Sequence, residues 1–414
     1  MFPPALRYRK YRLLGLGLLI SVSGSRMHAA AVLWQVHDLS GEPIALAGVG
    51  LSNILPVIVF SVLAGVAADA FNRRYLILVT QSTLALLALL LGWLTLAGRV
   101  QLWSIYLISA MMSAALTFDL PARQALIPNL LPREVLPSAF GVNATIFHLA
   151  SILGPVLAGA ILATSGVGVV YVINAVSYLA VIGALIAIGP VAQELTRPAE
   201  GAAWRPRQLA ASAGEGLRHV MGQPLIFSSM LLDFFATFFA SATYLLPIFA
   251  KDILHVGAAG YGWLVAAPSV GAGAASLYLA FRHQLSNQGR KLLIAVAGFG
   301  LATIAFGLSR TFPVTFLALT ATGATDAFST IIRNTLRQLQ TPDRLRGRMT
   351  GILQVFFLGG PQLGEVEAGV VAQLFGATAA VVSGGIACVA TTGWVAARYP
   401  QLRNYRGDEP MQPA

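Results

Sequence analysis

The chain has 414 residues, of which 56% are hydrophobic and only 10% charged, with mean hydropathy +0.73. A soluble domain carries roughly 25% charged residues, so this composition describes a chain that lives in a bilayer. The net charge of +11 would suggest nucleic acid in a soluble protein, but the positions of the cations give it another meaning, taken up below.

Apolar runs of about 20 residues, long enough to cross a hydrocarbon core, begin around Arg12, Ile44, Tyr75, Leu102, Ser138, Gly168, Leu225, Ala258, Lys291, Phe312, Met349 and Gly376. They predict an all-α polytopic membrane protein with twelve transmembrane helices, six per half. An even number per half makes the two repeats parallel. The predicted organisation is an N-terminal bundle over 1–192, a cytoplasmic linker over 193–224 and a C-terminal bundle over 225–414. Arg7, Arg9, Lys10, Arg12, Arg73, Arg74, Arg123, Arg133, Arg333, Arg337, Arg398 and Arg403 are counted in segments on one side of the membrane. Arg99, Lys251 and Arg310 are on the other. The positive-inside rule then places both termini in the cytoplasm. The basic N-terminus imitates a signal peptide, yet cleavage would leave five helices facing six, so it is read as the first span.

The first helix, roughly Arg12 to Val36, aligns Ser21, Ser25 and His28 on one face, with Arg26 near its middle. A guanidinium at that depth costs on the order of 2.5–3.5 kcal/mol, so it should face protein or water. Arg26 and His28 are therefore candidates for a substrate cavity. The second helix runs into Gly65–Tyr75, GVAADAFNRRY, a tight turn with Asp69 and the pair Arg73-Arg74. In the fourth helix Asp119 and Arg123 stand at i and i+4, with Pro121 between them expected to interrupt the helix. The fifth contains the Gly-Pro pair Gly154-Pro155, which kinks a span and admits a close neighbour.

The stretch Pro132–Gly159 has a twin at Pro342–Gly369. At one offset of 210 residues Pro132 matches Pro342, Gly141 matches Gly351, Phe147 matches Phe357, Gly154 matches Gly364 and Gly159 matches Gly369. That is close to half the chain, as expected when two halves descend from one unit. Arg123 likewise matches Arg333. Where the first copy has Pro155, the second has Glu365, a carboxylate in an apolar segment.

The seventh helix carries Asp233, and the tenth aligns Thr322, Asp326, Ser329 and Arg333 on one polar face. In the eleventh, Glu365 and Glu367 point about 200° apart, whereas Gln354, Gln362 and Glu365 fall within roughly 80° of arc. Glu365, then Asp326 and Asp233, are the candidates for carrying a proton, because acids inside a membrane mark ion and proton pathways. Gln354 and Gln362 join Arg26 and His28 as cavity candidates. Cys388 is the single cysteine. There is no phosphate-binding Gly-rich loop, metal-ligand cluster or catalytic triad in the pattern, so no cofactor, metal or enzyme activity is expected.

Gly65–Tyr75 resembles the Gly-x-x-x-Asp-x-x-x-Arg-Arg signature between helices 2 and 3 of the major facilitator superfamily. Ser23–Pro43 and Gln338–Gln354 resemble that superfamily's drug:proton antiporter branch, which includes macrolide efflux proteins and the enterobactin exporter. The resemblance implies two six-helix bundles around a midplane cavity, and proton-coupled export of a small amphipathic molecule, siderophore or drug, by alternating access. It implies a monomer in the bacterial cytoplasmic membrane whose partners are its substrate, protons and lipid. Asp69, Arg73, Asp119 and Arg123 become candidates for a cytoplasmic latch. The alternatives are a lipid or lysolipid transporter of the same fold and a membrane scaffold or sensor without transport.

Overall fold

The computed structural model describes residues 3–191, 193, 220–240, 243–281, 286–341 and 346–407; the side chains of 62, 69, 280 and 346–359 are not described. Most of the expected 193–224 linker therefore lies outside the described residues. A bilayer core offers no water to backbone N–H and C=O groups, so each must be satisfied within its own segment, which a helix does.

In chain order the long helices are α1 (Arg9–Ser40), α2 (Pro43–Ala70), α3 (Arg73–Leu96), α4 (Leu102–Leu126), α5 (Leu136–Ser165) and α6 (Val167–Ile188). The second half supplies α7 (Pro224–Ala240), α8 (Gly257–Ala280), α9 (Gln288–Leu308), α10 (Phe312–Leu339), α11 (Arg346–Phe375) and α12 (Ala377–Arg398). Among the described residues ten spans are long and apolar enough to cross a membrane, including Pro224–Ile253, which starts at α7. The other two of the twelve are α10, whose interior holds Asp326, Arg333 and Arg337, and α11.

Two compact units emerge. Unit 1 comprises Met1–Gly41, Leu51–Ala203 and Val256–Ala266; unit 2 comprises Glu42–Gly50, Trp204–His255 and Ala267–Ala414. Inside unit 1, α1 packs on α5 and α6, and α3 on α4 and α6. Inside unit 2, α7 packs on α11 and α12, and α9 on α10 and α12. Adding six to each helix number turns one set of partners into the other, which is what two parallel repeats require.

The repeat also extends beyond the stretch where the sequences match. Gly166 ends α5 with φ +81°, and Gly376, at the same offset of 210, ends α11 with φ +89°. Only glycine adopts such a backbone without strain. Each unit has its own apolar centre: Tyr11, Leu14, Ile77, Leu126 and Leu185 in the first, Leu232, Leu292, Leu336, Cys388 and Val395 in the second.

Candidate functional site

In unit 1 the polar face of α1 turns into the bundle. Ser21 is fully buried and donates to Gln81 Oε1 of α3 at 3.3 Å, and Ser25 shares a hydrogen bond of 3.1 Å with the Tyr178 hydroxyl of α6. His28 is buried with its ring 4.8 Å from that of Tyr171, and its Nδ1 has no hydrogen-bond partner. Arg26 is only half-buried, and its guanidinium lies 4.6 Å over the Phe147 ring of α5. Gly154 makes room beneath it, since a Cβ there would come 2.5 Å from Arg26 Cβ.

Asp119 is buried on α4. Its Oδ1 accepts from Thr80 Oγ1 at 2.8 Å and Gln81 Nε2 at 2.9 Å, and its Oδ2 pairs with Arg123. The expectation that Pro121 interrupts α4 does not hold: the helix is continuous from Leu102 to Leu126 and the i,i+4 pair forms. Proline removes one ladder bond, which a packed membrane helix tolerates. Arg73 donates to the Ala68 carbonyl (3.2 Å) near the end of α2, and to the Ala125 carbonyl (3.1 Å) and Asn129 Oδ1 (3.1 Å) at the end of α4, where carbonyls lack helical partners. Of the four latch candidates the structure joins Asp119 and Arg123 and places Arg73 on these acceptors; the Asp69 side chain lies outside the described set.

Unit 2 contains a cluster that the sequence reading took only in part. Asp233 of α7 receives Arg333 Nη2 at 2.9 Å on one oxygen and Arg337 Nη2 at 3.3 Å on the other. Arg337 also donates to the Ser229 hydroxyl (3.2 Å) and carbonyl (3.1 Å). Arg333 reaches Asp326 at 3.6 Å and Thr330 Oγ1 at 2.8 Å. The Arg333 side chain is 2% exposed and that of Asp326 46%. Arg123 lies in the last turn of α4, and Arg333 and Arg337 in the C-terminal half of α10, each with a buried acid as partner. The missed signal was the i,i+4 pair of arginines facing the same side of α10 as Asp326.

Glu365 is buried on α11 and, among the described residues, meets no cation. Its Oε2 accepts the Tyr244 backbone N–H at 2.9 Å; its Oε1 accepts the Thr243 backbone N–H at 3.2 Å and the Thr243 hydroxyl. Glu367 is half-buried, and Gln362 has a buried Oε1 without a hydrogen-bond partner. The Gln354 side chain is outside the described set. Among the described residues no group of three or more His, Cys, Asp or Glu is placed to hold a metal.

The profile of the family described as "Transmembrane secretion effector" matches residues 2–408. The chain is 27% identical to the enterobactin exporter EntS of Citrobacter koseri over 379 residues, 91% of this chain and 86% of that one. It is 27% identical to the enterobactin exporter of Escherichia coli strain K12 over 367 residues, 88% and 86% of the two chains. A bacterial homologue of the iron transporter ferroportin, solved in an inward-facing state, superposes with TM-score 0.73 at 18% identity, covering 96% of this chain and 99% of that one. At that identity the likeness speaks for the fold.

Proposed function

This chain belongs to the transmembrane secretion effector family of the major facilitator superfamily, and from that premise we propose that it exports a siderophore-like small molecule by alternating access, in exchange for protons. It is a multi-pass protein of the bacterial inner membrane. Both termini lie in the cytoplasm and the protein acts as a monomer. The relatives named as enterobactin exporters support the substrate class.

One observation supports the proton. Asp119, Asp233 and Asp326 each have an arginine partner, whereas the partners of Glu365 are two peptide N–H groups and a hydroxyl. Removing the charge of Asp233 would strand the buried Arg337 and leave Arg333 with only the 3.6 Å contact to Asp326, a costly state. Glu365 can gain and lose a proton without stranding any cation. It is therefore the carrier, with Asp326, half-exposed and 3.6 Å from its arginine, as a second acid open to water or substrate. Arg26 and His28, with Gln354 and Gln362, contribute polar contacts to the substrate, and Asp69, Arg73, Asp119 and Arg123 serve the cytoplasmic latch.

The test compares metabolites inside and outside cells with and without the protein, and with Glu365→Gln. Retention of a secreted siderophore when the protein is absent or substituted is the expected result. An unchanged secreted profile in all strains would overturn the export reading.

A further inference from the structure

The two halves diverge at a place where their packing coincides. In unit 1, Gly154 of α5 lies against α1, where a Cβ would come 2.7 Å from the Ser23 carbonyl oxygen and 3.2 Å from the Met27 nitrogen. In unit 2 the matching Gly364 of α11 lies against α7, where a Cβ would come 2.3 Å from the Phe238 carbonyl oxygen and 2.8 Å from that of Thr237. Gly360, one turn earlier, faces Thr237 in the same way, with 2.6 Å to its Oγ1. Small residues four apart let two backbones touch in a membrane. The same helix approach is thus made twice, followed by Pro155 in one half and Glu365 in the other.

The helices approached also differ. α1 is regular from Arg9 to Ser40. α7 is described to Ala240, and from Thr243 the span is a 3-10 turn at Thr243–Leu245, a short α piece at Leu246–Ile248 and a π turn at Phe249–Ile253. In a continuous α-helix the N–H groups of Thr243 and Tyr244 would go to the carbonyls four residues earlier. Here they go to the Glu365 carboxylate.

We propose that Glu365 is a positioning residue for the later segment of the seventh span: its ionised carboxylate holds Thr243–Ile253 in this irregular conformation, and protonation releases it. A carboxylate only accepts hydrogen bonds, so both of its oxygens serve the segment. Protonation puts a hydrogen on one oxygen and removes the charge, leaving that oxygen a much weaker acceptor for the N–H it faces. A peptide N–H left without an acceptor inside a bilayer is costly, so the proton and this segment compete for Glu365.

Tyr244 brings its phenol on the segment itself. The segment also carries Lys251 and Asp252, in the π turn at its far end from Thr243 and Tyr244. Glu367 points to the opposite face of α11, and Asp233 on α7 is tied to Arg333 and Arg337. The start of α2 touches Tyr244 at Gly50, and its Glu42 accepts from Gln373. On α12, which meets α7 at Gly384, Cys388 bonds the Val296 carbonyl. This inference deepens the proton role proposed above and rests on it only for its consequence in transport.

The test is backbone hydrogen exchange of the purified full-length protein in lipid nanodiscs, read by mass spectrometry on peptides covering 243–253. Exchange there should rise roughly tenfold in Glu365→Gln, with α7 and unit 1 unchanged, as expected when one local contact is lost. Thr243→Ala, which removes only the hydroxyl, should raise it less. After correction for intrinsic rates, protection of the wild-type segment should fall as pH falls, while Glu365→Gln should show no such dependence. Wild-type protection in Glu365→Gln, or loosening spread over all of unit 2, would overturn the proposal. Because no substrate enters the measurement, a failure of the export reading would leave its outcome unchanged. Loss of proton-driven export in Glu365→Gln with the segment still protected would sink the positioning role alone.

Discussion

Arg333 of α10 and Asp233 of α7 meet at 2.9 Å inside unit 2, and the same carboxylate takes Arg337 on its other oxygen at 3.3 Å. One acid therefore touches two buried cations, with Asp326 adding only a longer contact of 3.6 Å to Arg333. Asp233→Asn should destabilise the purified protein by about 3–5 kcal/mol, the cost of breaking a buried pair from one side. Asp326→Asn should cost under about 1 kcal/mol, because that side chain is 46% exposed and its contact is long. Unfolding in mild detergent, followed by intrinsic fluorescence, separates the two.

Asp119 depends on neutral donors from the neighbouring helix as well as on its arginine. Gln81→Leu removes the 2.9 Å donor from Nε2 and leaves Asp119 buried. The expected loss is about 1.5–3 kcal/mol, the range for a hydrogen bond to a charged group. The same melting experiment reads it, and a loss below a few tenths would mean that Thr80 and Arg123 hold the acid without Gln81.

Arg26 stacks on Phe147 at 4.6 Å and remains half-exposed. Lysine keeps the charge but not the planar guanidinium that stacks on a ring. Arg26→Gln should weaken substrate affinity with little change in stability, and Arg26→Lys should restore part of it. Concentration-dependent transport, in membrane vesicles, of the siderophore that the metabolite comparison identifies would show equal affinities in all three if Arg26 were only a packing residue.

Gly141 and Gly364 make a matched comparison. Nothing lies within 4 Å of a Cβ added at Gly141, whereas one at Gly364 would sit 2.3 Å from a backbone carbonyl oxygen that cannot step aside. Gly141→Ala should be neutral or stabilise by up to about 1 kcal/mol. Gly364→Ala should cost about 1–3 kcal/mol as overpacking. Melting temperatures of the two variants report the difference directly.

The twelve spans and the duplication were legible because both are written locally, as apolar length and as matches at one offset, and Gly166 with Gly376 carries that offset into the backbone. Asp119 with Arg123 was legible as an i,i+4 pair, although the effect of Pro121 was overestimated. What could not be read were partners on other helices. Nothing in sequence spacing says that Thr80 and Gln81 face Asp119, that Arg337 turns toward Asp233, or that Glu365 reaches two peptide groups more than a hundred residues earlier. A usable signal was present in Gly360-x-x-x-Gly364 directly before Glu365, since small residues so spaced mark where a neighbouring backbone comes close.

The most direct measurement of proton-driven export is accumulation, in proteoliposomes with an imposed pH difference, of the siderophore that the metabolite comparison identifies. With an acidic lumen and the wild-type protein, the compound should accumulate inside as protons leave, and Glu365→Gln should abolish the dependence on the gradient. Accumulation by the wild type that is the same with and without the gradient would contradict proton exchange as the driving force.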